Sequence, residues 1–446
     1  MSDYEVFYPG KYDPEDQKTV DDYMARLAAI SNSGAVDVKA LLSGRINSDN
    51  DPRIRGDFLG HVTVIEPHSA ETERLNFDPH NPLYSDDDYA KSLGYAGKLY
   101  IPPVWDLSVN WREAPALLRD NLVVSGLNHR IEFYAPIYPG DTLYPITETA
   151  GAKDLTPEKG SEYRTFAVSG GGGVYNQHGE LVQRRHSVTL ESLRRHANPV
   201  SRNKTPAPNW ECPEWWNLRP RHKYTKEDWE TIRGVWARES RRGDAPLYWD
   251  DVNVGDTPLV FLEGPVSQLD QIKYHGHMEA GSPALKEVMG DPVMSQMLLV
   301  DAFGEYYEPN GVGHLEDGRV PGHRPCFYNF MPVNFVVRAI FNWAGDRAKL
   351  KSIDWRIMCH MPGYEGAIPE YREDGREYLG RAPSMKGRSV TSHGMAGDVI
   401  WVKSYIIGKQ KKDGENLVEL IWWLETIDGV IYQEGSAVVA LPGDNR

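Results

Sequence analysis

Two stretches of this chain run through the same succession of patterns, and a repeated unit commits both copies to one fold. Each stretch opens on a short lead-in, Gly56-Asp57-Phe58-Leu59-Gly60 in the first and Trp249 to Asp256 in the second, followed by a β-rich run. A loop comes next, Asp78-Pro79-His80-Asn81-Pro82-Leu83-Tyr84-Ser85-Asp86 against Glu308-Pro309-Asn310-Gly311-Val312-Gly313-His314-Leu315-Glu316, with acid, proline, ring and acid at matching places. The spacing then predicts a helix over Pro103 to Arg119 and another over Met331 to Ala344, where Val333, Val336, Val337, Ile340 and Phe341 share one face. Strand patterns with a Gly-Asp turn follow, Pro139-Gly140-Asp141-Thr142-Leu143 and Ala396-Gly397-Asp398-Val399-Ile400, and then a hairpin around Gly179 or Gly429. Each half therefore predicts an antiparallel sheet curled round one buried helix, an α+β architecture.

The copies differ in length, and the differences locate insertions. The second half carries extra residues at about 365–392, rich in Gly, Pro, Arg and Glu, and again at about 278–307, where Leu285, Val288, Met289, Val293, Met297 and Leu298 have helical spacing. A chain of 446 residues also exceeds the roughly 250–300 at which a single core stops growing. The division expected is a helical extension over 1–54, a first unit over 55–195, a linker dense in Pro and Trp over 196–246, and a second unit over 247–446.

Composition removes several classes of function. With 49 Lys+Arg against 64 Asp+Glu the chain is acidic, net −15, which argues against binding nucleic acid through its phosphates. No window approaches the ~18–20 apolar residues of a membrane span, and the start, Met1-Ser2-Asp3-Tyr4-Glu5, lacks a basic-then-apolar signal, so a cytoplasmic protein is expected. Cys212, Cys326 and Cys359 lack the paired spacing of a zinc site or disulfide framework.

The loop and its surroundings resemble the MaoC-like acyl dehydratases, which include the R-specific enoyl-CoA hydratases built on a double hotdog fold. The string Phe77-Asp78-Pro79-His80-Asn81-Pro82-Leu83-Tyr84-Ser85-Asp86 with Pro102-Pro103 is similar to that family's acidic loop and following turn, with His80 as one extra residue. Further blocks are Asn342-Trp343-Ala344-Gly345-Asp346, Ala396 to Val402, and Gly435 to Pro442. The resemblance implies two antiparallel sheets, each wrapped round a long helix. It also implies that an Asp and a His on the loop handle the water added to, or removed from, the double bond of an acyl-CoA. Acid/base groups within hydrogen-bond reach of the α-carbon and the β-hydroxyl meet that need, and backbone N–H groups at the start of the helix suit the developing enolate.

One loop has both side chains: Glu308 stands at the acid position and His314 at the ring position, whereas the first loop has Asp78 but Tyr84. Glu308 and His314 are thus the expected catalytic pair, and Asp78, Tyr84, His275, His277, Tyr328 and Asn329 the expected substrate contacts. An alignment run straight through Tyr274-His275-Gly276-His277 would instead put Ala280 and Leu285 on the catalytic pair. His275, His277 and Glu279 alternate as metal ligands can, but a polar loop at the pocket mouth is the preferred reading and no metal is expected. The run Gly170 to Gly173 lacks the residues of a phosphate loop and suggests a strand bulge. Trp210, Trp215, Trp216, Trp422 and Trp423 suit core or interface. Arg324, Arg338 and Lys409 are candidates for the phosphates of CoA, although exposed basic residues are ordinarily solvated surface.

The function expected is a hydro-lyase, an enoyl-CoA hydratase or 3-hydroxyacyl-CoA dehydratase, for an unusual or bulky acyl group, with no cofactor beyond the CoA of the substrate. A homodimer or higher homo-oligomer is expected. The alternatives are an inactive acyl-CoA-binding double hotdog, a subunit of a hetero-oligomer, and a hotdog thioesterase.

Overall fold

The computed structural model describes residues 36–47, 49–51, 62–104, 122–154, 163–194, 220–271, 326–328, 330–357 and 394–443, with short pieces at 285–290, 299–300 and 306–307 and a few isolated positions. The helices are α1 (Val38–Leu42), α2 (Pro67–Phe77), α3 (Asp87–Ser92), α4 (Lys226–Trp236), α5 (Leu285–Gly290) and α6 (Met331–Ala344). The strands are β1 (Thr63–Val64), β2 (Leu122–Phe133), β3 (Thr142–Asp154), β4 (Tyr163–Tyr175), β5 (Leu181–Arg194), β6 (Phe261–Glu263), β7 (Leu299–Val300), β8 (Tyr306–Tyr307), β9 (Lys349–Ile357), β10 (Ile400–Lys412), β11 (Glu415–Glu425) and β12 (Ile431–Leu441).

Ten strands form one sheet in the order β1-β3-β4-β5-β2-β9-β12-β11-β10-β6. Its two ends mirror each other, five strands from each half, and they join where β2 pairs with β9 from Asn128 opposite Arg356 to Glu132 opposite Ser352. This is the double hotdog expected from the sequence. Alternation builds it: along β10 the buried Ile400, Val402, Ser404 and Ile406 are interleaved with half-buried Trp401, Lys403 and Tyr405, the period of two that turns one face to a core. That face wraps α6, whose Val333, Val336, Val337 and Ile340 are buried in a cluster with Ile353, Trp355, Leu420 and Trp422. Each such side chain contributes roughly 1.5–3 kcal/mol. Pro332 suits the first turn of α6, and Gly345, at φ +80°, ends it where a Cβ would lie 2.9 Å from the Gly243 carbonyl.

The repeat survives in atomic detail. Gly140 N donates to Ile65 O at 2.7 Å and Ile65 N to Asp141 O at 2.8 Å; in the other copy Gly397 N donates to Val266 O at 2.7 Å and Val266 N to Asp398 O at 2.8 Å. The two aspartates each accept from the backbone N–H three residues earlier, at Tyr138 and Met395. The hairpins match as well: Gly179 N donates to Asn176 O, and Gly429 N to Thr426 O, both at 2.9 Å. In the ladders the register slips past Leu127 in β2 and Lys351 in β9, which are equivalent positions. With that alignment Arg130 is equivalent to Asp354, and the two are directly paired, so the approximate twofold passes between them.

Three sequence expectations need restating. Pro103 and Val104 are not yet helical: the Pro103 carbonyl accepts from Gln183 Nε2 at 3.0 Å and Arg185 Nη2 at 2.8 Å, and 105–119 lies outside the described residues. The linker's end holds the amphipathic α4, capped by Thr225 and Asp228, with Ile232 and Val235 packed on Leu262 and Val399. Between 278 and 307 the described pieces are α5 and a hairpin, Leu299 opposite Tyr307 and Val300 opposite Tyr306, that stands apart from the large sheet. The stretch 358–393, which holds the other insertion, is outside the described residues, as are Cys212 and Cys359.

The glycine run behaves as its sequence suggested. Gly170 to Gly173 lie inside β4, opposite a slip in β3 at Glu148, and a Cβ on Gly172 would sit 1.8 Å from the Ile146 carbonyl oxygen.

Candidate active site

The Asp78 loop begins where α2 ends. Asp78 caps that helix, and Asn81 three residues later donates Nδ2 to Asp78 Oδ2 at 3.0 Å while its Oδ1 accepts from Leu83 N at 3.0 Å. Arg241, from the segment after α4, donates to the same Asn81 oxygen at 2.8 Å and also pairs with Asp346, which in turn accepts the Tyr89 hydroxyl. From α6, Arg338 pairs with Glu239 at 2.7 Å and stands 3.9 Å from Asp78, and Asn342 donates to the same Glu239 oxygen at 3.0 Å. Asp78, Asn81 and Asp346 are all buried.

The members of this cluster bond chiefly to one another, and Arg241 Nε is buried without a partner among the described residues. Burial raises the Asp78 carboxyl, while the Asn81 bond and the Arg338 and Arg241 charges pull it back. Burial likewise holds the Tyr84 phenol well above its usual range. Asp78 and Tyr84, expected at the substrate, are therefore brought together, in a polar clasp against the second half of α6. Arg338 belongs to that clasp, and Lys409 donates to Val252 O and covers the Trp249 ring at 4.1 Å. Both basic groups thus have protein partners. Arg324 is outside the described residues.

The other end of α6 is different. Its first turn has no side-chain cap: Phe330 occupies the N-cap, and Asn334 uses its amide nitrogen on the Phe330 and Met331 carbonyls, both at 3.3 Å. The Asn334 Oδ1 is buried with no hydrogen-bond partner among the described residues. Tyr328, an expected substrate contact, is half-buried, with its ring centroid 5.2 Å from that of Phe330. Against Phe330, at 4.6 Å between centroids, lies His129 of β2, and His129 stacks on Trp355 of β9 at 5.2 Å and 27°. Sequence reasoning passed over His129, because a histidine within a strand pattern offers no local signal. Its position in the repeat would have marked it, since the equivalent residue is Ile353.

Glu308, His314, His275, His277 and Asn329 lie outside the described residues, so the expected catalytic pair has no described geometry. Among the described residues no group of three or more His, Cys, Asp or Glu side chains is placed to hold a metal, and no helix is long and apolar enough to cross a membrane.

Comparison with known proteins yields structural matches. No protein-family model matches the sequence, and no curated protein matches it. Among solved structures, a MaoC domain dehydratase from Chloroflexus aurantiacus is 13% identical, with 87% of this chain and 95% of that one covered at a TM-score of 0.45. A MaoC-like dehydratase is 12% identical, covering 88% and 100% at 0.43. A Mycobacterium tuberculosis protein described as a double hotdog is 12% identical, covering 85% and 96% at 0.39.

Proposed function

We propose that the chain is a hydro-lyase that adds water to, or removes it from, the 2,3-double bond of an acyl-CoA thioester, with Glu308 and His314 as its acid/base pair. The observation that carries this reading is the uncapped start of α6, set on the seam between the two halves. Met331 N and Val333 N already donate to the Tyr328 and Phe330 carbonyls and Pro332 has no N–H, so what this helix start brings to an oxygen that becomes an enolate is its partial positive charge.

The repeat supplies the rest of the argument. In the first half the loop is tied to the chain that leads toward its own helix region, with Leu99 N donating to Leu83 O at 2.8 Å. The same relation in the second half would set Glu308 and His314 beside Cys326 to Phe330. Hairpin β7–β8 ends at Tyr307, directly before Glu308, so the inserted stretch ends where the sequence of the loop begins. In hydration the Glu308 carboxylate and the His314 imidazole hold the water and take its proton as its oxygen bonds to the β-carbon. The α-carbon then receives a proton from the same pair.

Hydration of a panel of 2-enoyl-CoA thioesters by the full chain tests the proposal. Loss of the enoyl thioester with formation of the 3-hydroxyacyl product supports it. Tight CoA-ester binding without turnover, or release of free thiol, replaces it with a binding protein or a thioesterase.

A further inference from the structure

We propose that His129 and Trp355, one from each half of the chain, together bind the carbonyl oxygen of the substrate thioester. The proposal deepens the hydro-lyase reading and rests on it. The two residues face each other across the β2–β9 seam, stack, and touch Phe330 at the start of α6. His129 is 7% exposed and Trp355 fully buried, yet His129 Nε2 and Trp355 Nε1 have no hydrogen-bond partner among the described residues.

A buried polar group without a partner costs roughly 1–3 kcal/mol, and the fold itself does not require one here. The twofold carries His129 onto Ile353 and Trp355 onto Ile131, and those two residues also face each other across the seam, both buried and both aliphatic. One of two equivalent places in the seam is thus filled with plain hydrocarbon and the other with ring nitrogens.

The chemistry of those nitrogens selects the ligand atom. An indole N–H donates and never accepts, so its missing partner is an acceptor. Burial, together with the nearby Arg185 and His186, pushes the His129 imidazole down to about 3, so it stays neutral with one N–H, and the proposal places that proton on Nε2, the nitrogen without a partner among the described residues. Two neutral donors fit an oxygen that gains charge during the reaction. When the water oxygen bonds to the β-carbon, the π electrons move toward the α-carbon and spread onto the thioester oxygen. Both ring nitrogens keep their protons throughout, and the charge leaves that oxygen when the α-carbon is protonated. Neutral donors fixed by stacking need no reorganisation for this.

The test uses the full chain and the variants His129→Phe, His129→Gln and Trp355→Phe. With crotonyl-CoA or another hydrated panel member, His129→Phe is expected to lower kcat roughly 100- to 1,000-fold with little change in KM, because the bond strengthens in the transition state. His129→Gln, which restores a donor, is expected to recover part of that loss. An unchanged kcat in folded His129→Phe and Trp355→Phe overturns the inference while leaving the hydro-lyase reading intact. If the wild type hydrates nothing, the hydro-lyase reading fails, and the inference is read by binding instead. Saturated octanoyl-CoA added to chain carrying 15N-histidine should then shift the His129 Nε2 resonance, and a resonance that does not move at saturation overturns it.

Discussion

The two ends of α6 meet polar residues in opposite ways. Against its second half Asp78, Asn81, Arg241, Asp346, Tyr89 and Arg338 are joined by hydrogen bonds and ion pairs, with Arg241 Nε the one buried side-chain atom of theirs left unmet among the described residues, so the first loop acts as a clasp between the halves. At its start His129, Trp355 and Asn334 are buried with polar atoms that no described residue meets. Paired groups of the first kind hold a fold together. Unpaired groups of the second kind cost stability, and in the reading proposed above a ligand meets them. The His129–Trp355 and Ile131–Ile353 pairs sharpen the contrast, because one fold and one seam tolerate either content.

The largest effect is expected from breaking the clasp. Arg241→Ala leaves the Asp346 carboxylate, whose side chain is fully buried, without its main counter-charge, and loss of one partner from such a pair costs about 3–5 kcal/mol. Urea unfolding should show it as a lower midpoint.

Away from both ends, Glu73 sharpens the same point. Burial against the first half's core pushes its carboxyl up to about 8, an effect the Tyr100 hydroxyl only partly offsets. The folded state holds this proton while the unfolded chain has lost it, so stability falls as pH rises from about 4.5 to about 8. Glu73→Gln should abolish that slope and raise stability by about 2–3 kcal/mol at pH 7, read from unfolding curves across pH.

His129 carries the opposite sign. Its folded value near 3 lies below the unfolded 6.5, so its contribution is complete above 6.5 and is lost as pH falls toward 3. At pH 5 this amounts to about 2 kcal/mol, and His129→Phe should remove the dependence. The smallest effect belongs to the half-exposed pair Arg130–Glu132 on the opposite face, where Glu132→Gln should cost under about 1 kcal/mol.

The sequence disclosed what local chemistry decides. The ends of α6 follow from its apolar stripe, Pro332 and Gly345, and both Gly-Asp turns and both glycine hairpins stand where their residues suggested. The clasp was illegible because its partners, Asn81, Arg241 and Asp346, are far apart in the chain and nothing local links them. For the same reason Arg338 reads as a free basic side chain in sequence and as an ion-pair member in the fold. His129 was hidden by strand alternation, which shows which face a residue takes and not whether its polar atom is met. Of the candidate site, the fold shows that Asp78 and Tyr84 of the first loop are packed away from solvent, which the sequence did not indicate.

The central claim is that the second loop carries chemistry and the first carries structure. Hydration of one enoyl-CoA substrate by His314→Ala and Tyr84→Phe, measured side by side with the wild type, tests it most directly. The account predicts a loss of roughly 100-fold or more for His314→Ala and a rate within a few-fold of wild type for Tyr84→Phe. Full activity in His314→Ala, with the loss falling on Tyr84→Phe, would contradict it.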